Sequence, residues 1–285
     1  MRIVYWALGI VVSLLVIGLI AVSISQFQFN RNVKAEVKEL FGDYMEENRE
    51  VITEEDIAVL PEPVQRWLKY SKVVGKENIY AVRLKQTGMM QTEKDKPWMP
   101  SVAEQYFTTD KPGFIWKTKV EMNPLIFLSG RDKYYQGRGQ MLIKLMSLIP
   151  VVDYKSEEMD QGTLLRYLGE TVWFPTGVLN DYIEWKEVDS NSARATMSYG
   201  GITASGVFHF NDKGQPTKFT CKRYYAGPDG NYSLEDYVVA VDEYREMDGI
   251  MIPVKGRAMW ELESGTFTYY KLEITEVEYN NPSLY

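Results

Sequence analysis

From Ile79 onward the hydrophobic pattern has a period of two, broken at short intervals by glycine, proline and aspartate. Period two means side chains alternating between the faces of a sheet, so the chain is confined to β architectures. Residues 79–90, 101–108, 114–122 and 133–137 read as strands. So do 182–188, 193–199, 202–211, 217–225, 237–245, 251–262 and 266–277. Asn211-Asp212-Lys213-Gly214, Asp248-Gly249 and Ser264-Gly265 are hairpin turns that need positive φ, which glycine supplies. Consecutive hairpins make an antiparallel meander. Tyr270, Leu272 and Ile274 share one face while Lys271 and Glu273 take the other. One face of the sheet is therefore covered, and the other is wet or lines a cavity.

One stretch interrupts the strands. Between Asp160 and Leu179, Leu164, Leu165, Leu168 and Val172 fall at helical spacing and make one apolar stripe. Asp160 or Thr163 suits the N-cap, and Pro175, with no N–H to donate, stops the helix. Residues 141–152 are strongly apolar and fit helix or strand equally. The expected fold is mainly β (α+β): a curved antiparallel half-barrel sheet around a central helix near 160–174. An N-terminal transmembrane helix and short helices precede it.

The first segment is set by length. From Ile3 to Ile24 there is no charge, and about 20 residues at 1.5 Å each cross a bilayer core of roughly 30 Å. Tyr5 and Trp6 sit at one end, where amphipathic rings prefer the interface. A cleaved signal is the competing reading, given Arg2 and Ala21-Val22-Ser23, but its apolar run is normally shorter. The expectation is a retained single-pass anchor in the cell membrane. Arg31, Lys34 and Lys38 after the span favour a cytoplasmic C-terminal side. Long domains translocate largely regardless of charge, however, and the domain is placed on the extracytoplasmic side.

Residues 31–49 read as a helix with Val33, Val37, Leu40, Phe41 and Tyr44 on one face, a stalk or connector near the membrane. Thr53 before Glu54, Glu55 and Asp56 caps a second helix. Pro63 starts a third, whose apolar face is Val64, Trp67 and Leu68. The expected parts are 1–25 anchor, 26–72 helical stalk and connector, and 73–285 half-barrel domain.

Net charge is −7, which argues against a nucleic-acid partner, since phosphates need clustered Lys and Arg. Cys221 is the sole cysteine, so no intrachain disulfide forms; it alternates with Phe219 and reads as core. His209 is the sole histidine, on the opposite strand face from Phe208 and Phe210. No Ser-His-Asp set and no His/Cys zinc site can be assembled without it. Gly137-Arg138-Gly139 lacks the rest of a dinucleotide fingerprint and reads as a turn. The pattern calls for no cofactor and no metal.

Asp132, Asp153, Glu157, Glu158 and Asp160 are the carboxylates that acid–base chemistry would use. Those before the helix also match the positive end of its dipole, and capping is the plainer reading. Arg166 lies opposite the leucines. With Glu170 four residues on, it forms either an exposed pair or, inside a curved sheet, an anchor for an anionic head group. Trp98, Tyr106, Trp116, Tyr134, Tyr167 and Trp173 crowd the neighbouring segments. Aromatics at such spacing are more often core; with Arg166 they are the candidate ligand-binding set, and no catalytic set is assigned.

Several words carry a resemblance: Trp98-Met99-Pro100, Gly130-Arg131-Asp132, Asp160-Gln161-Gly162, Leu164-Leu165-Arg166-Tyr167-Leu168 with Trp173-Phe174-Pro175, and Ala204-Ser205-Gly206. Leu60-Pro61-Glu62-Pro63-Val64 with Trp67-Leu68 adds to them. Together, over about Leu60 to Val277, they resemble a prokaryotic family of uncharacterised membrane-anchored proteins, a membership that implies no known activity. By architecture alone the expected fold is similar to the half-barrel of lipoprotein carriers. The chain departs from those carriers in its apparent anchor and its lack of a lipidated cysteine.

The resulting expectation is a membrane-anchored, non-catalytic domain that binds an apolar or amphipathic ligand such as a lipid. The alternatives are a cell-envelope protein-interaction module and a carboxylate-dependent hydrolase.

Overall fold

The computed structural model describes residues 2–42, 50–227 and 231–285. Its first element is a continuous helix, α1 (Arg2–Gly42), which joins the apolar run to the segment read as a separate stalk. The apolar stretch is unburied, whereas Phe29, Val33, Val37, Leu40 and Phe41 are buried. Tyr44 lies outside the described residues, as does the rest of the 31–49 helix beyond Gly42. Two short helices follow, α2 (Glu54–Ala58) and α3 (Glu62–Tyr70). Thr53 and Asp56 satisfy each other's backbone N–H groups in a capping box, as the local sequence implies.

Among the described residues thirteen strands make one antiparallel sheet. On one side lie β1 (Ala81–Met90), β2 (Met99–Thr108), β3 (Gly113–Asn123), β4 (Ile126–Tyr135), β5 (Arg138–Leu145) and β6 (Ile149–Tyr154). The other side holds β7 (Ile183–Asp189), β8 (Ser192–Tyr199), β9 (Ile202–Phe210), β10 (Pro216–Ala226), β11 (Tyr232–Met247), β12 (Ile250–Leu262) and β13 (Gly265–Tyr279). The spatial order is β6-β5-β4-β3-β2-β1-β13-β12-β11-β10-β9-β8-β7. The chain thus starts in the middle, meanders out to one edge, crosses to the far edge, and meanders back until β13 pairs with β1. The open stretch 141–152 is the end of β5, a short turn and the start of β6, and β4 starts earlier than the sequence pattern placed it. At the β11–β12 turn Asp248 and Gly249 both take positive φ, 47° and 76°, the pairing a two-residue hairpin requires.

The crossing is made by α4 (Glu157–Glu170) and two 3-10 turns, Thr171–Trp173 and Pro175–Leu179. The helix begins three residues before Asp160, and its cap is Ser156, whose hydroxyl accepts from the Met159 N–H. Asp160 instead accepts from the Gly139 N–H at 2.6 Å and the Arg138 guanidinium at 2.7 Å, so it ties helix to sheet. Pro175 opens the second 3-10 turn rather than ending the α-helix. Lying inside the curled half-barrel, α4 packs on β4 and β5 on one flank and on β8, β9 and β10 on the other. Leu164, Leu165 and Leu168 are buried in the main core.

The connector helices are integral to that core. Fully buried Trp67 of α3 stacks on Phe208 at 5.6 Å and meets Trp185 edge-on. Arg66 donates to the Ser190 carbonyl and to Asn191. The second half of α1 covers the outer face of the sheet, where its apolar stripe packs with Tyr80, Ala81, Tyr106 and Ile115.

Candidate functional site

Strand alternation decides which side chains reach the inner face. On β3 and β4 the pairs Trp116–Asp132 and Phe114–Tyr134 point inward, while Arg131 and Lys133 point outward to Glu36 of α1. On β1 and β2 the pair Leu84–Gln105, with Gln86, points inward. Arg166 of α4 descends onto this surface. Its Nη1 donates to Asp132 Oδ2 at 2.5 Å and its Nε to Glu170 Oε1 at 2.9 Å. The network continues: Gln105 donates to Glu170 at 2.8 Å, and Gln86 to Gln105 at 2.8 Å. Trp116 Nε1 and the Tyr270 hydroxyl both donate to Gln86, each at 3.3 Å. The guanidinium also lies over the Phe114 and Trp116 rings, at 4.9 and 4.8 Å.

Burial disfavours carboxylate charge and pushes both Asp132 and Glu170 up, against the opposing pull of Arg166. The two carboxylates converge, but both are bound to the same arginine and shifted in the same direction. That is unlike the split pair an acid–base mechanism uses. Among the described residues no group of three or more His, Cys, Asp or Glu is arranged to hold a metal ion.

Of the residues singled out from the sequence, Trp116 and Arg166 meet directly. Tyr134 stacks near Tyr167, ring centroids 6.3 Å apart, with Tyr134 fully buried. Tyr167 donates to the Thr108 carbonyl at 3.0 Å, and Phe107 bridges Tyr167 to Trp173. Trp173 donates its indole N–H to the Pro253 carbonyl. Tyr134, Tyr167 and Trp173 are packed core; backbone carbonyls occupy the polar atoms of Tyr167 and Trp173, whereas the Tyr134 hydroxyl is buried with no partner among the described residues. Two residues lie elsewhere. Tyr106 faces outward, edge-on to Phe41 of α1, because its parity on β2 is opposite to Gln105. Trp98 sits in the β1–β2 connection under Lys271, half-buried, away from the helix.

The residue that sequence reasoning passed over is Arg223. It shares the inner face of β10 with Phe219 and Cys221, so the same alternation that marked Cys221 as core also marked Arg223 as inward. Its guanidinium lies 4.7 Å from the Tyr237 ring and 5.7 Å from the Trp260 ring. It passes α4 at Gly162, where an added Cβ would stand 3.3 Å from Nε. Among the described residues no ion pair or hydrogen bond occupies its donors. Arg166 has the opposite character, since two carboxylates hold its fork.

A sheet curled into a half-barrel around one internal helix, with aromatic walls and, among the described residues, one unpaired arginine facing inward, defines a class of β-rich proteins with a lined concave face. Within that class the chain belongs to the family of unknown function DUF6544, whose profile matches residues 50–272. No curated protein matches it. Among solved structures it is similar to a LolA superfamily protein from Nitrosomonas europaea, at 8% identity over 76% of this chain and 94% of that one, TM-score 0.39. It is also similar to a putative outer membrane lipoprotein-sorting protein domain from Vibrio parahaemolyticus, at 6% identity over 78% and 93%, TM-score 0.37. A beta-barrel-like protein of domain family DUF1849 from Brucella abortus matches at 9% identity over 72% and 99%, TM-score 0.29.

Proposed function

We propose that this protein is a membrane-anchored, non-catalytic binding domain whose half-barrel holds an amphipathic ligand with an anionic head. In this reading residues 1–25, which hold the first part of α1, are the anchor and residues 73–285 are the binding domain, with 26–72 docking one to the other. The observation that carries it is Arg223. Its half-buried guanidinium is given no acceptor among the described residues, and its donors stay open to one from outside. An anionic head group supplies the missing acceptors, and a planar fork suits a carboxylate or phosphate. Tyr237, Trp260 and the half-buried Tyr269 stand beside it, while Met141 and Ile143 on β5 are also half-buried on the inner face. Such surface receives an apolar tail.

Native mass spectrometry of gently extracted full-length protein tests this. Wild type should carry a co-purifying anionic amphiphile. Arg223→Met should fold with an unchanged melting temperature and lose that mass. Wild-type protein with no bound ligand under gentle extraction overturns the reading in favour of an envelope interaction module.

A further inference from the structure

Outside α1, exposed large apolar residues are scattered singly over the sheet, as at Val59, Val102 and Val188, except at two hairpin ends, where several occur together. Met122, Leu125 and Ile126 form the β3–β4 hairpin end, and Leu148, Ile149 and Val151 form the β5–β6 end. Leu125 is 81% exposed. The two ends lie side by side, since Met146 N–H donates to the Phe127 carbonyl at 2.8 Å. Exposed apolar residues brought together in this way mark a surface that meets something other than water.

The path of α1 says what. Its Leu40 packs over Gly113 at the start of β3, and Phe41 meets Tyr106 of β2. One turn earlier Glu36 pairs with Arg131 and Lys133 of β4, and Leu142 of β5 packs against the same buried stripe. Traced toward its N-terminus, the helix therefore crosses the outer face from β2 toward the β6 edge, where the exposed corner lies. Its contact face does not stop where the uncharged run begins. Ser25, Gln26, Ala21 and Val22 are half-buried and continue the stripe of Phe29 and Val33 at helical spacing, whereas Ala7 is exposed. From Glu36 to Val22 the helix rises only about 21 Å. The partly covered face of α1 thus reaches the level of Ile24, the end of the apolar run.

We infer that the corner formed by the β3–β4 and β5–β6 hairpin ends rests in the interfacial layer of the lipid bilayer that α1 crosses. This rests on α1 being a retained anchor, as proposed above. It makes the half-barrel a domain seated on the membrane by two contacts, a spanning helix and an apolar corner, rather than one swinging on a tether.

The test uses full-length protein in phosphatidylcholine–phosphatidylglycerol vesicles, in a Cys221→Ala background. Single cysteines Leu125→Cys, Ile149→Cys, Ser13→Cys and Val59→Cys carry an environment-sensitive fluorophore, and brominated lipids act as quencher. Val59 is an exposed control at the opposite end, beside α2. Quenching at positions 125 and 149 should exceed that at 59 several-fold, and Leu125→Asp should reduce it at 149 without releasing the protein from the vesicles. If Ser13 is quenched and both corner positions behave like 59, the corner does not touch lipid and the inference is overturned with the anchor intact. If no position is quenched, α1 is not an anchor, and both this inference and the anchored reading are lost.

Discussion

Arg166 and Arg223 face the same concave surface, and their partners give them different roles. Arg166 balances the buried Asp132 and the largely covered Glu170, so removing its charge strands two carboxylates. Breaking a buried pair in this way costs about 3–5 kcal/mol. Arg166→Met should therefore lower the urea midpoint by a corresponding amount, and Asp132→Asn with Glu170→Gln in the same background should recover most of the loss. A normal midpoint for Arg166→Met would mean that the network carries no stability. The sequence placed Arg166 opposite the leucines correctly. It could not say that Asp132, 34 residues earlier, would be the partner, because that contact exists only once β4 and α4 pack. Arg223 was legible in principle from strand parity; its lack of a partner was not, since that depends on every element around it.

At the scale of elements, α4 is held by its leucine stripe, by Asp160 and by close approach to glycine. Thr163 and the Met159 carbonyl press on Gly139, leaving no room for a Cβ. Leu168 is fully buried, so Leu168→Ala should cost about 2–5 kcal/mol, read as the shift in equilibrium urea denaturation. A cost below about 1 kcal/mol would place the helix outside the core. The helix was legible as an element because its period differs from that of the strands. Its start was not: Glu157, Glu158 and Asp160 all suit a first turn, and only the Ser156 geometry selects the cap. Tyr106 shows the complementary failure. An aromatic in a strand reads as inward, but α1 makes the outer face of β2 and β3 a second core.

The whole molecule is one sheet closed in its middle, with β1 and β13 pairing across roughly the full length of the domain. Its single histidine gives the pH response a simple component. Burial lowers His209 below the ordinary imidazole value, with Lys218 adding to the effect and Asp189 opposing it. The unfolded chain then binds the proton more readily than the native one. Stability is lost as pH falls below about 6.5 and is unaffected by this group above it. His209→Gln should shrink the difference in urea midpoint between pH 7.5 and pH 5.5; an unchanged difference would assign it to other groups. What the sequence by itself determined was local: alternation, hairpin turns, one helical stripe, one uncharged run long enough to cross a membrane, and a family shared over residues 50–272. These follow from side-chain period and backbone preference, which neighbouring residues settle among themselves. Tertiary structure alone decided strand order, the seating of α1 on the outer face, which arginine is paired, and where exposed apolar residues gather. Each of those depends on contacts between residues far apart in the chain, and no local pattern encodes which distant surfaces meet.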